Sequence, residues 1–324
     1  MWRRVSVFIL SCVVAVAILA YMLLRIWDQL LETLARADPR YLVLAIVICS
    51  VGWWMRGWRY RYILATLEVK VTLAFSTACI LVSQTANLAL PARLGDLIRI
   101  FILRHEQETP YEIGLSSLVV ERVFDVLMVA VLGLLSLPFV LGAPPWIYPL
   151  VVLPILLSGI FFLVLMMTGK LTARHRVLAF LLRMMEGMRR ASLSLRSVAV
   201  LGASSILIWM MDVLACTAVV LMFGQAVPFP VIVLAIVVGN LVKAIPLTPG
   251  GVGTYEAAVA VTLLLAGMSQ EAATLIAILD HLIKNAVTLA GGILSIAFLG
   301  TWVVSVIKKA FRSGGGDEGN GDSA

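Results

Sequence analysis

Asn87-Leu88-Ala89-Leu90-Pro91-Ala92-Arg93-Leu94-Gly95-Asp96, with Arg99 close behind, and Pro246-Leu247-Thr248-Pro249-Gly250-Gly251-Val252-Gly253-Thr254-Tyr255-Glu256 interrupt two otherwise apolar regions of this chain. Both stretches contain Pro-x-x-x-Gly. Proline lacks a backbone N–H and glycine has no side chain to hold it in a helix, so each stretch is read as the end of one helix and the start of another. Within a bilayer, the freed N–H and C=O groups survive only where protein or a water-filled cavity satisfies them. Interruptions of this kind mark candidate binding sites.

The flanking regions set the class. Hydrophobic residues make up 61% of the chain and charged residues 13%, with a mean hydropathy of +1.03, against roughly 45–50% apolar and 25% charged in soluble domains. The chain therefore reads as an all-α, polytopic membrane bundle. Cys12, Cys49, Cys79 and Cys216 all lie in apolar runs without metal-ligand or CxxC spacing, so neither disulfide, metal nor cofactor is expected. The apolar run after Met1-Trp2-Arg3-Arg4 is span-length, longer than a signal-peptide core of about 7–15 residues, and is expected to stay as the first helix. Residues 1–312 read as a single transmembrane domain. The Gly-rich, acidic segment 313–324 is expected to be a disordered tail.

Apolar runs long enough for a hydrocarbon core of about 30 Å occur near residues 5–25, 40–58, 115–140, 147–168, 198–223 and 272–300. Two further regions, 71–104 and 230–267, carry the breaks. Loop charge discriminates between crossing and turning back, because cytoplasmic loops hold the Lys and Arg excess. With both broken regions as re-entrant hairpins, Arg3, Arg4, Arg56, Arg59, Arg61, Lys70, Arg93, Arg99, Arg104, the seven cations from Lys170 to Arg196, and Lys308, Lys309 and Arg312 share one side, nineteen of the 25 in the chain. The opposite side keeps Arg25, Arg36 and Arg40. This predicts about six full spans plus two re-entrant broken hairpins, with both termini cytoplasmic. The order span, span, hairpin, span then occurs in 1–140 and again in 147–300, and an odd number of crossings per half makes it an inverted repeat. Asn87-Leu88 answers Asn240-Leu241, and Pro91/Gly95 answers Pro249/Gly253.

Between the halves, 169–197 intersperses seven cations with Leu178, Leu181, Leu182, Met184, Met185 and Met188. Two readings stand: helices lying on the cytoplasmic surface with cations at anionic headgroups, or an ordinary cationic loop. The net charge of +7 is accounted for by topology, so no nucleic-acid partner is expected.

Ionisable residues inside the spans cost about 2.5–3.5 kcal/mol each if unpaired at a helix centre, so they must face protein or water. Glu121, Arg122 and Asp125 form one such group, with Glu121 and Asp125 on one helix face. Asp280, His281 and Lys284 form another, with Asp280 and Lys284 at i, i+4; Asp212 and Lys243 lack an obvious local partner. Structural pairing and the lining of a polar cavity are both open readings. Helices restarting after Gly95 and Gly253 would turn the positive ends of their dipoles inward, favouring an anion. Arg93 and Arg99 add guanidinium forks suited to phosphate, and Asp96 and Glu256 would hold those arginines or accept from a substrate. The glycine-rich 249–253 stretch lacks the Gly-Lys-Ser/Thr of a nucleotide loop.

Taken in order, Arg56-Gly57-Trp58-Arg59-Tyr60, Asn87…Pro91-Ala92-Arg93-Leu94-Gly95-Asp96…Arg99, Glu121-Arg122…Asp125 and Thr248-Pro249-Gly250-Gly251-Val252-Gly253…Glu256 resemble the lysylphosphatidylglycerol synthase transmembrane region, or flippase-like domain family, over roughly residues 5–300. The resemblance implies a plasma-membrane protein of a bacterium or archaeon that moves lipid between leaflets, without the soluble aminoacyl-transferase domain of the synthase. It implies anionic lipids as partners, either a phospholipid or a polyprenyl-phosphate-linked lipid. A homodimer stays open. One position departs from the family, His281 standing where arginine is usual, with Lys284 a turn on, which makes pH sensitivity an expectation. The substrate-binding candidates are Asn87, Arg93, Asp96, Arg99, Glu121, Arg122, Asp125, Thr248, Gly250, Gly251, Glu256, His281 and Lys284. A rival reading makes the protein a membrane-embedded lipid-phosphate transferase or hydrolase with Asp96 or Glu256 as base and His281 as acid. A third makes it an accessory subunit of a lipid- or glycan-synthesis enzyme.

Overall fold

The computed structural model describes residues 2–27, 35, 37–90, 93–140, 144–168, 175–245, 248–300 and 302–305, with side chains from Cys12 onward. Pro91, Ala92, Pro246, Leu247, the loop cations Arg36, Lys170, Arg174, Lys308, Lys309 and Arg312, and the 313–324 tail lie outside the described residues.

Every described element is helical. Six long helices correspond to the expected spans: α1 (Trp2–Leu24), α2 (Pro39–Thr66), α5 (Tyr111–Ser136), α6 (Ile147–Met167), α8 (Leu195–Met222) and α11 (Gln270–Leu299). Four of these, α2, α6, α8 and α11, are long and apolar enough to cross a membrane by length and composition alone. The polar breaks fall between α3 (Leu73–Ala89) and α4 (Gly95–Gln107), and between α9 (Phe229–Ala244) and α10 (Thr254–Leu264). At 1.5 Å per residue these four arms are about 25, 20, 24 and 17 Å long, each short of a full crossing. Within each pair the arms pack against one another, and each pair also packs on the last span of its own half, α5 or α11.

Local chemistry fixes the boundaries. Asp38 caps α2 by accepting from the Arg40 N–H at 2.9 Å, with Pro39 in the first turn. Thr72, Ser194 and Ser269 cap α3, α8 and α11 in the same manner. At the far end of α4, Glu108 takes a left-handed backbone (φ 49°) before Thr109-Pro110 starts the next helix.

The two halves repeat one order: α1, α2, α3/α4, α5, then α6, α8, α9/α10, α11, with α7 (Arg176–Ser192) inserted in the second. Packing is pseudo-symmetric as well. The equivalent helices α2 and α8 lie against each other at the centre, and α3 packs on α11 as α9 packs on α5. Contacts at the ends sort the loops onto two faces. The Asp38 N–H donates to the Met222 carbonyl at 2.9 Å, joining the start of α2 to the end of α8. On the other face α7 lies over the start of α5, where the Ser116 hydroxyl donates to the Met184 carbonyl (2.8 Å) and Arg183 pairs with Glu112 at 2.8 Å. Of the two readings for this stretch, residues 176–192 are thus a docked helix, with Met188 and Ala191 buried and Val177 and Leu178 exposed. Arg190 of α7 comes 4.0 Å from Glu68 beyond the end of α2, and Arg104 stacks 5.5 Å over the Tyr111 ring at the start of α5, which brings these cations to that face. Arg56, Arg59, Arg93 and Arg99 do not join them, because each is drawn into the interior by the groups described below.

Apolar side chains cover the outside: Leu153, Leu156, Leu157 and Ile160 of α6, and Leu282, Leu289, Ile293 and Leu294 of α11, are exposed. The main core joins α8, α9, α10 and α11, with satellites under α4 and under α7.

Gly95 is required by close approach. A Cβ there would sit 2.5 Å from both the Asn87 Oδ1 and the Ser83 carbonyl, in the facing arm of the hairpin. Gly95→Leu is expected to splay α3 from α4 and cost about 3 kcal/mol or more. Gly159→Ala, where a Cβ meets nothing within 4 Å, should stay within about 1 kcal/mol of the wild type. Thermal unfolding in detergent reads both, and a Gly95→Leu protein of unchanged stability would refute the tight hairpin.

Candidate functional site

The two breaks meet. A Cβ at Gly250 would lie 3.6 Å from the Leu88 Cα, so the second break rests on the end of α3, and one at Gly253 would lie 3.0 Å from the Ala15 carbonyl in α1. Backbone geometry forces the glycines: Gly250, Gly251 and Gly253 have φ of 62°, 77° and 83°, values that a side chain disfavours. Arg93 adopts φ 56° without that freedom, a strained setting that persists only where its surroundings fix it.

Where the breaks meet, a cavity of about 190 Å³ opens between the halves. Its wall carries Arg56, Arg93, Arg122, Lys243 and Lys284 together with Glu121, Asp125, Asp212 and His281. Asn87, Thr248, Gly250 and Gly251 also line it, while Trp53, Trp209, Leu88 and Val126 supply apolar surface. Three sequence candidates, Asp96, Arg99 and Glu256, stand outside this lining and hold the residues that form it.

In the first half, Arg59 is 1% exposed and lies between the carboxylates of α5 and Ser205 of α8. It donates to both oxygens of Asp125 at 2.6 and 3.0 Å, to Glu121 at 3.4 Å and to the Ser205 hydroxyl at 2.7 Å. Arg99 is fully buried, pairs with the other Glu121 oxygen at 2.5 Å, and stacks its guanidinium 4.8 Å over the Tyr60 ring. The sequence placed Arg99 beside a phosphate; the structure places it behind Glu121, one turn into α4. Asp96 takes Arg122 through two N–H donors at 2.8 and 3.1 Å, and also accepts from Asn87, Gln84 and Ser83.

The second half is built similarly. Glu256 accepts from the Gly253 N–H at 2.7 Å, closing the start of α10, and its other oxygen meets His281 Nδ1 at 2.7 Å. Across the ring, His281 Nε2 lies 3.0 Å from Lys243 Nζ. Lysine can only donate, so Nε2 accepts and Nδ1 carries the proton toward Glu256. Asp280 is 1% exposed and pairs with Lys284 at 2.7 Å while accepting from the Tyr255 hydroxyl at 2.7 Å. Asp212 finds its partner in Arg56, 156 positions away, at 2.6 Å. Asp96 and Glu256 therefore hold Arg122 and His281, in place of the Arg93 and Arg99 that sequence spacing suggested.

The halves correspond group by group. Glu121-Arg122-x-x-Asp125 in α5 and Asp280-His281-x-x-Lys284 in α11 occupy equivalent last spans, and Arg122–Asp96 answers His281–Glu256, each tying the start of a hairpin's second arm to that span. Arg56, Arg59, Asp212, Lys243 and Tyr255 were not among the sequence candidates. Arg56 and Arg59 could have been found from their place in the Arg-Gly-Trp-Arg-Tyr block, and Lys243 from being a cation within an apolar helix.

A helical bundle crossing a membrane and enclosing an ionic cavity where two broken hairpins meet is the class that fold and site define. Comparison with known proteins is specific: the chain belongs to the lysylphosphatidylglycerol synthase TM region family, matched over residues 8–292. It is 33% identical over 358 residues to the glycosyltransferase AglD of Haloferax volcanii, an alignment covering 95% of this chain and 57% of AglD. It is 22% identical over 321 residues to a UPF0104 membrane protein of Methanothermobacter thermautotrophicus (90% of this chain, 95% of that one). A UPF0104 membrane protein of Methanocaldococcus jannaschii is 28% identical over 207 residues, covering 61% and 87% respectively. No solved structure matches the chain.

Removing one partner of a buried ion pair strands the other, at about 3–5 kcal/mol. Arg99→Met is accordingly expected to destabilise the protein by that order, where Arg93→Gln, on the cavity wall, should change stability by less than about 1 kcal/mol. Thermal unfolding in detergent compares them; equal stabilities would mean that Arg99 is not a structural anchor.

Proposed function

We propose that the protein is a lipid translocator, carrying an anionic headgroup through the cavity between the hairpins while the hydrocarbon tails remain in lipid. The observation that carries this reading is the cavity itself, a polar, cation-bearing space enclosed by both halves at the level of both breaks. At about 190 Å³ it is smaller than the roughly 300–1,000 Å³ of sites for drug-sized ligands, room for a headgroup and not for acyl chains. Arg93, Arg122, Lys243 and Lys284 would face the anion, and Glu121, Asp125 and Asn87 its hydroxyls or amines. The inverted repeat supports alternating exposure of one site to the two faces, a use that such repeats have in transporters.

The similarity to a protein named a glycosyltransferase favours, among anionic lipids, a phosphate-linked glycosyl carrier such as a polyprenyl phosphate. The cation-rich face bearing α7 would be cytoplasmic under the positive-inside rule, with both termini on that side, in the plasma membrane. The same similarity keeps the enzyme reading in play, with the His281–Glu256 pair at 2.7 Å as its acid–base element.

Reconstitution in vesicles with a headgroup-labelled phosphatidylglycerol separates these readings. Faster exchange between leaflets with the lipid chemically intact is the expected result, and Asn285→Trp, which fills the cavity wall, should slow it at least about tenfold. A chemically altered lipid would favour the enzyme, and an intact lipid that never changes leaflet would leave only the accessory role.

A further inference from the structure

Charge pairing on the cavity wall is incomplete in a specific way. Arg56 is matched by Asp212, Arg122 by Asp96 and Asp125, and Lys284 by Asp280. Arg93 and Lys243 have no carboxylate within ion-pair distance among the described residues. The polar partner of Lys243 is the imidazole of His281, which accepts as a neutral ring. These two cations come from opposite hairpins, one in the first break and one in the last turn of α9 beside the second. Gly251 makes room for the lysine: a Cβ there would come 2.5 Å from the Lys243 Cγ, so the stem lies across the break. A third donor accompanies them, because the Trp209 indole N–H is buried without a partner and Trp209 lines the same cavity.

We infer that Arg93 and Lys243 clamp one phosphate group between the two hairpins, with the Trp209 N–H as a further donor. A guanidinium fork and a point-charge ammonium suit the tetrahedral oxygens of a phosphate ester, and cations at membrane depth without a carboxylate in ion-pair distance are stabilised when an anion enters. His281 and Glu256 position the lysine without neutralising it. The assignment deepens the translocator reading and rests on it for the phosphate's lipid origin. Inorganic phosphate shares the chemistry, so the test must separate the two sources.

The full chain, purified in detergent, is titrated with dihexanoyl phosphatidic acid, with dihexanoylglycerol and with inorganic phosphate, binding being followed by isothermal titration calorimetry. Saturable binding of the phosphatidic acid is expected, with inorganic phosphate weaker and dihexanoylglycerol silent. Tighter binding of inorganic phosphate than of the lipid would keep the clamp but remove its lipid origin. Arg93→Gln and Lys243→Gln should each weaken phosphatidic acid at least about tenfold, the range of one charged hydrogen bond. Arg93→Lys and Lys243→Arg, which keep one charge at each position, should bind phosphatidic acid more tightly than the corresponding glutamine variants, and charge-keeping variants as weak as the glutamines would count against the clamp. Trp209→Phe should show a smaller loss. Lys70→Gln, an exposed cation outside the cavity, serves as the unaffected control, and unchanged thermal unfolding of each variant certifies its fold.

Glutamine variants that bind as the wild type does, or dihexanoylglycerol binding as tightly as the phosphatidic acid, would overturn the clamp. Leaflet exchange in vesicles, measured on the same variants, separates the two proposals. Phosphate binding that depends on Arg93 and Lys243 without any exchange sinks translocation and leaves the clamp. Exchange that persists unchanged in both glutamine variants, with binding also unchanged, sinks the clamp and leaves translocation.

Discussion

Burying guanidinium groups in a bundle with an apolar exterior is the constraint from which this architecture follows. Arg59 of α2 and Arg99 of α4 are 1% and 0% exposed, and both converge on the carboxylates of α5, which also meet Ser205 of α8 through Arg59. Desolvation is offset by geometry and hydrogen bonding, and Arg59 and Arg99 both engage the carboxylates although Arg59 Nε and Arg99 Nε and Nη2 are buried without a partner, so five polar groups on four helices fix one another's positions. For α4 this is decisive. With 13 residues it is too short to cross, and its depth is set where Arg99 meets Glu121, since the neighbouring carboxylate one turn on, Asp125, is already taken by Arg59. The ion pair specifies where the re-entrant arm stops, whatever its net contribution to stability. In the second half, Tyr255 on Asp280 and Glu256 on His281 give α10, with 11 residues, the same anchorage to α11.

That arrangement also determines what remains for the cavity. The carboxylates at membrane depth each have a cation or imidazole partner, so charge left over on the wall is positive. An anionic ligand is then favoured by arithmetic over the whole network as well as by any single contact. Glycine contributes by subtraction: at Gly251 the absence of a side chain leaves space for the Lys243 stem.

Much of this was readable in the chain. The spans and broken hairpins follow from runs of apolar residues measured against bilayer thickness, while the exact helix starts are fixed by Asp38, Thr72, Ser194 and Ser269, caps that the apolar runs do not pick out. Local pairs were readable too, since Asp280 and Lys284 at i, i+4 do meet. What spacing does not encode is partnership over long separations. Arg56–Asp212, Arg59–Asp125 and Lys243–His281 join residues 156, 66 and 38 positions apart, and no periodicity links them. For the same reason Arg56 and Arg59 counted as loop cations, since they sit near the end of a long helix whose last turns carry several charges. Arg99 was misplaced more subtly. Proximity to the break suggested the site, but Arg99 lies a turn into α4, where its side chain is taken up by Glu121 of α5 and the Tyr60 ring of α2.

Comparing the two halves explains why the surplus charge falls where it does. Arginine at 122 has several donors, and it grips Asp96 at 2.8 Å while reaching Asp125 at 3.8 Å, so the first half closes into a cage in which cation and carboxylates are matched. Histidine at 281 has only two ring nitrogens. One is taken by Glu256, and the other can accept from Lys243 without cancelling its charge. The second substitution compounds the first: where Asp125 would have offered a carboxylate, Lys284 stands, and it consumes Asp280 instead. Replacing a fork by a ring and an acid by a base thus converts a closed ionic cage into an open line of groups, Gly253 N–H to Glu256 to His281 to Lys243, that delivers a positive charge to the edge of the cavity. The inverted repeat supplies a symmetric frame, and the departure from symmetry at 281 and 284 gives the second hairpin a cation without a counter-ion opposite Arg93 of the first.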